Sequence, residues 1–145
     1  MRCDQVAQRV PCEDAICMKD PLIEAALLAR ENAYAPLSRF RVGAALQEKD
    51  GRVFTGCNIE NASYGLTLCA ERVAVFKAVS EGARKFGRIV VAADTAILTP
   101  PCGACRQILW EFCGNARLTL VNLAGQREDL HISDIFPRPF DATFL

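Results

Sequence analysis

Apolar positions along the chain fall into blocks whose spacing changes several times, and each change predicts an element. Leu22, Ile23, Ala26, Leu27 and Ala33 recur at helical spacing. Asp20-Pro21 just ahead of them supplies an N-cap and a proline at the first helical position. Pro36 drives Ala35 out of the α region, so this helix should end near Tyr34. The period then shortens to that of strands over 41–47 and 52–57, with Asp50-Gly51 as the turn between them. A polar, glycine-containing loop covers 58–66, and 68–81 predicts a second helix, capped by Thr67 and stopped at Gly82. Ile89-Val90-Val91-Ala92-Ala93 is an unbroken apolar run, as expected of a strand covered on both faces. Beyond Pro100-Pro101 a third helix spans about 102–113 and closes at Gly114. Strands over 117–123 and 126–131, joined at Ala124-Gly125, and a helical turn over 133–136 complete the pattern.

The order α-β-β-α-β-α-β-β contains two strand–helix–strand crossovers, which favour an α/β sheet largely parallel at its centre and covered by helices. Residues 1–19 carry Cys3, Cys12 and Cys17 without a clear period and read as an irregular or weakly helical extension. The rest, 20–145, reads as a single domain without internal repeat or linker.

Composition narrows the classes. At 145 residues, with 51% hydrophobic and 23% charged, the chain has the size and balance of one soluble globular domain. Seventeen basic residues against seventeen acidic ones argue against a nucleic-acid partner, which calls for a basic stripe. No apolar run approaches the ~20 residues of a membrane span, and the first residues lack a signal-like apolar stretch, so the expected location is cytoplasmic. Eight cysteines then change the picture. In a reducing compartment, clustered cysteines bind metal or do redox chemistry more often than they form disulfides.

The cysteines that cluster are Cys69, in Cys69-Ala70-Glu71, and the pair in Pro101-Cys102-Gly103-Ala104-Cys105. Each set falls at the start of a predicted helix that follows a strand, where ligands collect in open α/β sheets. Taken alone, the first set fits core packing beside a surface glutamate, and the second fits structural zinc or thiol–disulfide exchange as well as catalysis. Together they suit a catalytic Zn²⁺ with three sulfur ligands and one open position. A helix N-terminus favours thiolates. Three thiolates more than neutralise the ion, so such a site needs help in activating water. Glu71 is placed to take the proton, and Arg72 to offset the excess negative charge. A thiol–disulfide oxidoreductase would leave Cys69 and Glu71 unexplained, and a structural zinc module would need a fourth protein ligand.

A cysteine-rich zinc site, a non-ligand glutamate and a P-C-x-x-C signature mark the zinc deaminases. The chain resembles the cytidine deaminase family, in its small homotetrameric branch, over about residues 20–140. The resemblance rests on Tyr34-Ala35-Pro36-Leu37-Ser38-Arg39-Phe40-Arg41-Val42-Gly43-Ala44-Ala45, on Gly56-Cys57-Asn58-Ile59-Glu60-Asn61-Ala62-Ser63-Tyr64, on Cys69-Ala70-Glu71-Arg72 and on Pro101 to Gln107. Leu37 stands where the family often has an aromatic. The resemblance implies a three-layer α-β-α sandwich with a mixed five-stranded sheet. It implies zinc-dependent hydrolysis of cytidine and 2′-deoxycytidine to the uridine nucleosides and ammonia, within pyrimidine salvage. Cys69, Cys102 and Cys105 would be the metal ligands, and Glu71 would carry a proton to N3 and then to the leaving amine. Asn58 and Glu60 would bond the ribose 3′-hydroxyl, Phe40 would line the base pocket, and Ala70 would also face substrate. Ala62, Tyr64 and a C-terminal aromatic, Phe140, would complete a neighbouring subunit's site in a homotetramer. Blasticidin-type and free-base deaminases remain the nearest alternatives, although Asn58-Ile59-Glu60-Asn61 favours an intact nucleoside. No phosphate-cradling G-x-x-x-x-G-K-[ST] loop occurs, which favours nucleosides over nucleotides.

The remaining candidates have plainer readings. The single histidine, His131, is expected in an ordinary packing or surface role, Cys57 and Cys113 as small buried apolar residues, and Trp110 in the core or an interface. Cys3, Cys12 and Cys17 are too irregularly spaced to suggest a second metal site.

Overall fold

Asp20 opens the first helix as its sequence predicts. Its Oδ1 accepts the Leu22 N–H at 3.1 Å, and α1 runs Pro21–Glu31. The computed structural model describes residues 19–145, so Cys3, Cys12, Cys17 and nearly all of the predicted N-terminal extension lie outside the described residues. Helix α1 stops at Glu31, short of Tyr34, because tertiary pairing claims the next stretch of chain. The Tyr34 N–H donates to the Asn58 carbonyl at 3.0 Å, drawing that segment into a bridge with Ile59.

The hairpin β1 (Val42–Glu48) and β2 (Val53–Cys57) turns at Asp50-Gly51, where Gly51 takes φ +100° and Asp50 Oδ1 accepts the Arg52 N–H at 2.9 Å. Helix α2 (Ala70–Ser80) begins later than predicted, with Cys69 rather than Thr67 as its N-cap. The Thr67 hydroxyl is spent elsewhere, accepting the Asn61 N–H at 3.0 Å. Strand β3 (Phe86–Ala93) starts before the apolar run, because the polar Arg88 within it finds Thr119 Oγ1 and Asp20 as partners. Then come α3 (Gly103–Cys113), β4 (Arg117–Asn122), β5 (Arg127–His131) and the short α4 (Ile132–Ile135). Two 3₁₀ turns lie at Tyr64–Leu66 and Ala142–Phe144.

The strand order is β2-β1-β3-β4-β5, and the sheet is mixed. Only β3 and β4 pair in parallel; β1 runs antiparallel to both its neighbours, as β5 does to β4. The expectation of a largely parallel centre is therefore corrected. The β1–β2 hairpin closes on itself, so α2 must carry the chain past β1 before β3 can pair.

Helix α1 covers one face, where Leu22, Ile23 and Ala26 meet Ala45, Val90 and Ala92. Helices α2 and α3 cover the other, where Ala74, Val75, Ala78 and Leu109 meet Leu46, Ile89, Val91 and Leu118. The three-layer α/β arrangement expected from the sequence is present. Burying a large aliphatic such as Leu46 or Ile89 contributes roughly 1.5–3 kcal/mol before entropy is counted. Two strand glycines set the helix distances. A Cβ on Gly43 would lie 2.1 Å from the Ala26 carbonyl oxygen, and one on Gly56 would lie 2.5 Å from the Ala70 oxygen and the Ala74 nitrogen. Helix α2 thus rests its first turn directly on β2.

Among the described residues no helix is long and apolar enough to cross a membrane. Cys113 is buried as expected, Cys57 only half-buried, and Trp110 is partly buried with its Nε1–H donating to Asp141 Oδ2 at 3.3 Å. His131 is exposed and precedes α4, its N–H donating to Asp134 Oδ2 at 2.7 Å.

Candidate metal and active site

Register brings the chemistry to one edge of the sheet. Gly43 pairs with Cys57 and Val42 with Ala93, so the carboxyl ends of β2 and β3 flank the start of β1. The chain leaves these two ends to enter α2 and α3, whose N-caps are Cys69 and Cys102. Both caps have extended backbones, and neither thiol is used to cap its own helix, so both are free for other partners.

The sulfurs of Cys69, Cys102 and Cys105 all lie within 4.8 Å of one another, with Cys69 and Cys102 3.8 Å apart. Cys105 is buried, Cys69 half-buried and Cys102 exposed, so the cluster opens outward on one side. Glu71, on the first turn of α2, is only 4% exposed. Arg72 Nη2 sits 3.7 Å from Cys69 Sγ and donates to the Thr67 carbonyl at 3.0 Å. The Arg72 Nε is buried and has no acceptor among the described residues.

The electrostatics stem from this crowding. Hydrogen bonding from Cys105, with help from Arg72 and Cys102, outweighs burial and pulls the Cys69 thiol down to about 5. The same bond and burial push Cys105 strongly upward. Three thiols this close cannot all ionise without a cation between them. Burial pushes the Glu71 carboxyl up to about 7, reinforced by the Cys69 charge and opposed by Cys105 and Arg72.

Three soft donors around one point suit Zn²⁺, and a tetrahedral site with Zn–S bonds of ~2.3 Å has sulfur–sulfur edges of about 3.8 Å. The Cys69–Cys102 separation of 3.8 Å matches that edge. No fourth His, Cys, Asp or Glu ligand joins the cluster among the described residues, which leaves a coordination position open and argues against a closed structural site.

A second group of predicted residues lies next to the first. Ile59 pairs with Leu68 on one side, the residue before Cys69, and with Tyr34 on the other, which clamps the loop between Asn58 and Glu60 against the start of α2. Buried Asn58 accepts the Val42 N–H on Oδ1 at 2.8 Å and donates from Nδ2 to the Phe40 carbonyl at 2.7 Å. Glu60 Oε2 accepts the Leu37 N–H at 2.7 Å, and the Ser38 hydroxyl donates to Oε1. These bonds to Ser38 and Leu37 hold the Glu60 carboxyl below its ordinary range. A cavity of about 270 Å³ opens here, lined by Leu37, Ser38, Glu60, Tyr64 and Thr67. Ala62 lines a neighbouring one with Glu60 and Tyr34.

Of the other predicted positions, Ala70 is fully buried at the head of α2, and Phe40 is partly exposed. Tyr64 (75% exposed) and Phe140 (58%) stand on the surface, the latter stacked on Phe144 with ring centroids 5.5 Å apart. Sequence pattern alone does not single out two further residues. Ser38 announces itself only as a hydroxyl two places before a residue whose N–H it can accept. Arg106 carries no local signal, yet it donates from Nε to the Pro101 carbonyl at 2.8 Å and from Nη1 to the Ile135 carbonyl at 2.7 Å, fastening the loop that carries Cys102 to α4.

With this geometry in place, comparison with known proteins is decisive. The family model described as the cytidine and deoxycytidylate deaminase zinc-binding region matches residues 18–121. The chain belongs to this family. It is 55% identical over 122 residues to a cytidine deaminase of Halalkalibacterium halodurans, covering 83% of this chain and 92% of that one. A crystal structure of cytidine deaminase from Burkholderia pseudomallei superposes with a TM-score of 0.81 at 49% identity, covering 83% of this chain and 97% of that one. Similarity to a blasticidin-S deaminase of Bacillus cereus is lower, 29% over 108 residues. For this deaminase the fold, the mixed sheet and the zinc-type donor set agree with the sequence expectation.

Proposed function

We propose that this deaminase hydrolyses cytidine and 2′-deoxycytidine to uridine and 2′-deoxyuridine, releasing ammonia. The observation that carries the reading is the convergence of three cysteine sulfurs and the buried Glu71 at one sheet edge, one residue pair away from a polar loop suited to a sugar. Cys69, Cys102 and Cys105 would hold zinc, which when bound supplies the Lewis acidity that makes water a nucleophile at neutral pH. Glu71 takes one proton from the attacking water and delivers it to N3. It then takes the second from the new C4 hydroxyl and passes it to the amine as the C4–N bond breaks and ammonia leaves. Arg72, donating toward Cys69 Sγ, offsets the excess negative charge of the sulfurs. Phe40 packs beside the base, with Ala70 at the head of α2. Asn58 and Glu60 bond the 3′-hydroxyl, and a site built to bond a hydroxyl rejects analogues that lack it.

The reading extends to a single catalytic domain over residues 20–145 with 1–19 as an extension, acting in the cytoplasm in pyrimidine salvage. Ala62, Tyr64 and Phe140 complete a neighbouring subunit's site in a homotetramer. Their exposure in one chain, together with the stacked Phe140–Phe144 pair, supports that assignment. The test is ammonia release from cytidine, 2′-deoxycytidine and free cytosine by purified protein of measured zinc content. Release from both nucleosides is expected, with little from the base; release from none of the three would defeat the reading.

A further inference from the structure

Several hydrogen bonds join the base-side loop (residues 34–41) to the sugar-side loop (58–60), and one hydroxyl among them lies between Phe40 and Glu60. Ser38 Oγ–H donates to Glu60 Oε1, and the same oxygen accepts the Phe40 N–H at 3.0 Å. Glu60 receives two further donors from the same stretch, the Leu37 N–H on Oε2 at 2.7 Å and the Ser38 N–H shared between Oε2 at 3.2 Å and Oε1 at 3.3 Å. Phe40 is gripped on its other side by Asn58, whose Nδ2 donates to the Phe40 carbonyl at 2.7 Å. Between the two grips Arg39 takes the left-handed conformation at φ +59°, the bend that turns the Phe40 N–H back onto Ser38. Three donors of the Leu37–Ser38 stretch hold the carboxylate, the Ser38 N–H shared between both oxygens, and they fix the direction in which Glu60 presents its remaining accepting capacity to a ligand hydroxyl. The backbone of Phe40 and the carboxylate of Glu60 are therefore oriented by the same Oγ atom.

We propose that Ser38 is a positioning residue of the nucleoside site, its hydroxyl locking the base-side Phe40 and the sugar-side Glu60 into one register. The proposal rests on the reading that Phe40 and Glu60 face the nucleoside. Ser38 itself needs no contact with substrate. It acts by keeping Glu60 aimed and Phe40 in place before binding, so its removal should raise KM rather than slow the chemistry.

The test compares Ser38→Ala and Ser38→Thr with wild type, using cytidine and 3′-deoxycytidine as substrates and following amide hydrogen exchange at Leu37, Ser38 and Phe40. In Ser38→Ala, kcat/KM for cytidine should fall about tenfold to hundredfold, chiefly through KM, as for loss of a hydrogen bond to a charged group. For 3′-deoxycytidine, which has no 3′-hydroxyl for Glu60 to bond, the loss should shrink to about threefold or less. Ser38→Thr, which keeps the hydroxyl, should return cytidine to within about threefold of wild type, and the Phe40 amide should exchange at least about tenfold faster in Ser38→Ala alone. Wild-type KM in Ser38→Ala, or equal losses on the two substrates, would overturn the proposal. Should wild type deaminate neither nucleoside, the activity reading fails separately. Unchanged exchange at Phe40 would then still sink the claim that Ser38 joins the loops.

Discussion

Glu71 is the residue to which the proposed chemistry assigns proton transfer. It is nearly fully buried on the first turn of α2, two places from a cysteine of the metal cluster, and burial raises its carboxyl to about 7. A glutamine would keep its shape and its capacity to hydrogen-bond but could not carry a proton. Glu71→Gln is expected to fold, to retain zinc in stoichiometric amount, and to lose turnover by about 10²–10⁴-fold. Turnover near wild type in a metal-replete variant would falsify the assigned role. Asn58 shows the reverse case. Its two amide atoms are already engaged by Val42 and Phe40, so the sugar contact proposed for it would be inseparable from its hold on the loop.

Elements set the distances that residues require. Helix α2 touches β2 at Gly56, where an added Cβ would fall 2.5 Å from backbone atoms of Ala70 and Ala74. Backbone on both sides leaves nothing flexible to yield, so Gly56→Ala must push α2 off the sheet and carry Cys69 and Glu71 with it. Stability should drop by the ~1–3 kcal/mol typical of overpacking, and zinc affinity should fall with it. A melting point equal to wild type would show that α2 tolerates the shift. On the α1 side, Asp20 and Asp129 anchor a network through Arg88 and Thr119, with Thr119 Oγ1 donating to Asp129 Oδ1 at 2.6 Å. Partial burial raises the Asp129 carboxyl, but hydrogen bonds from Arg127, Thr119 and Arg117 outweigh it and bring the group from 3.8 down to about 2. Since the folded value is the lower one, Asp129 stabilises the protein above pH 3.8 and loses that contribution as the pH falls toward 2. Asp129→Asn should therefore unfold more readily than wild type at neutral pH, with the difference vanishing in strong acid. A constant difference across a denaturation series from neutral to acid would contradict this.

At the scale of the whole molecule, a zinc ion held by the three cysteines would join the starts of two helices. These otherwise meet through the sheet and through packing such as the edge-to-face pair Phe76–Phe112, with ring centroids 6.3 Å apart. Cys69 caps α2, Cys102 caps α3 and Cys105 lies on its first turn, so zinc held by all three would link elements more than thirty residues apart. A chelator under reducing conditions should abolish deamination and lower the melting temperature by about 5 °C or more, and zinc should restore both. Loss of activity without a thermal shift would mean that the ion does not bridge the helices.

The features legible in the chain alone are those that local chemistry can carry. The Asp20-Pro21 cap, the Asp50-Gly51 turn, the buried apolar strand around Ile89 and the cysteine motifs each act within a few residues, and all are present. Even so, Thr67 has the local pattern of a cap and does not act as one, because the Asn61 N–H that takes its hydroxyl belongs to a loop whose path local pattern does not encode. The sheet order is likewise beyond local reading. Whether β3 pairs beside β2 or beyond β1 depends on which edge the hairpin leaves open, a competition among partners distant in the chain. Only the assembled sheet puts the carboxyl ends of β2 and β3 at one edge. For the same reason, three sulfurs separated in sequence stand within 4.8 Å, and the Ser38 hydroxyl falls between Glu60 and Phe40. Spacing in sequence declares which groups are available, but closure of the sheet and packing of the helices fix the ångström-scale separations on which metal binding and hydrogen bonding depend.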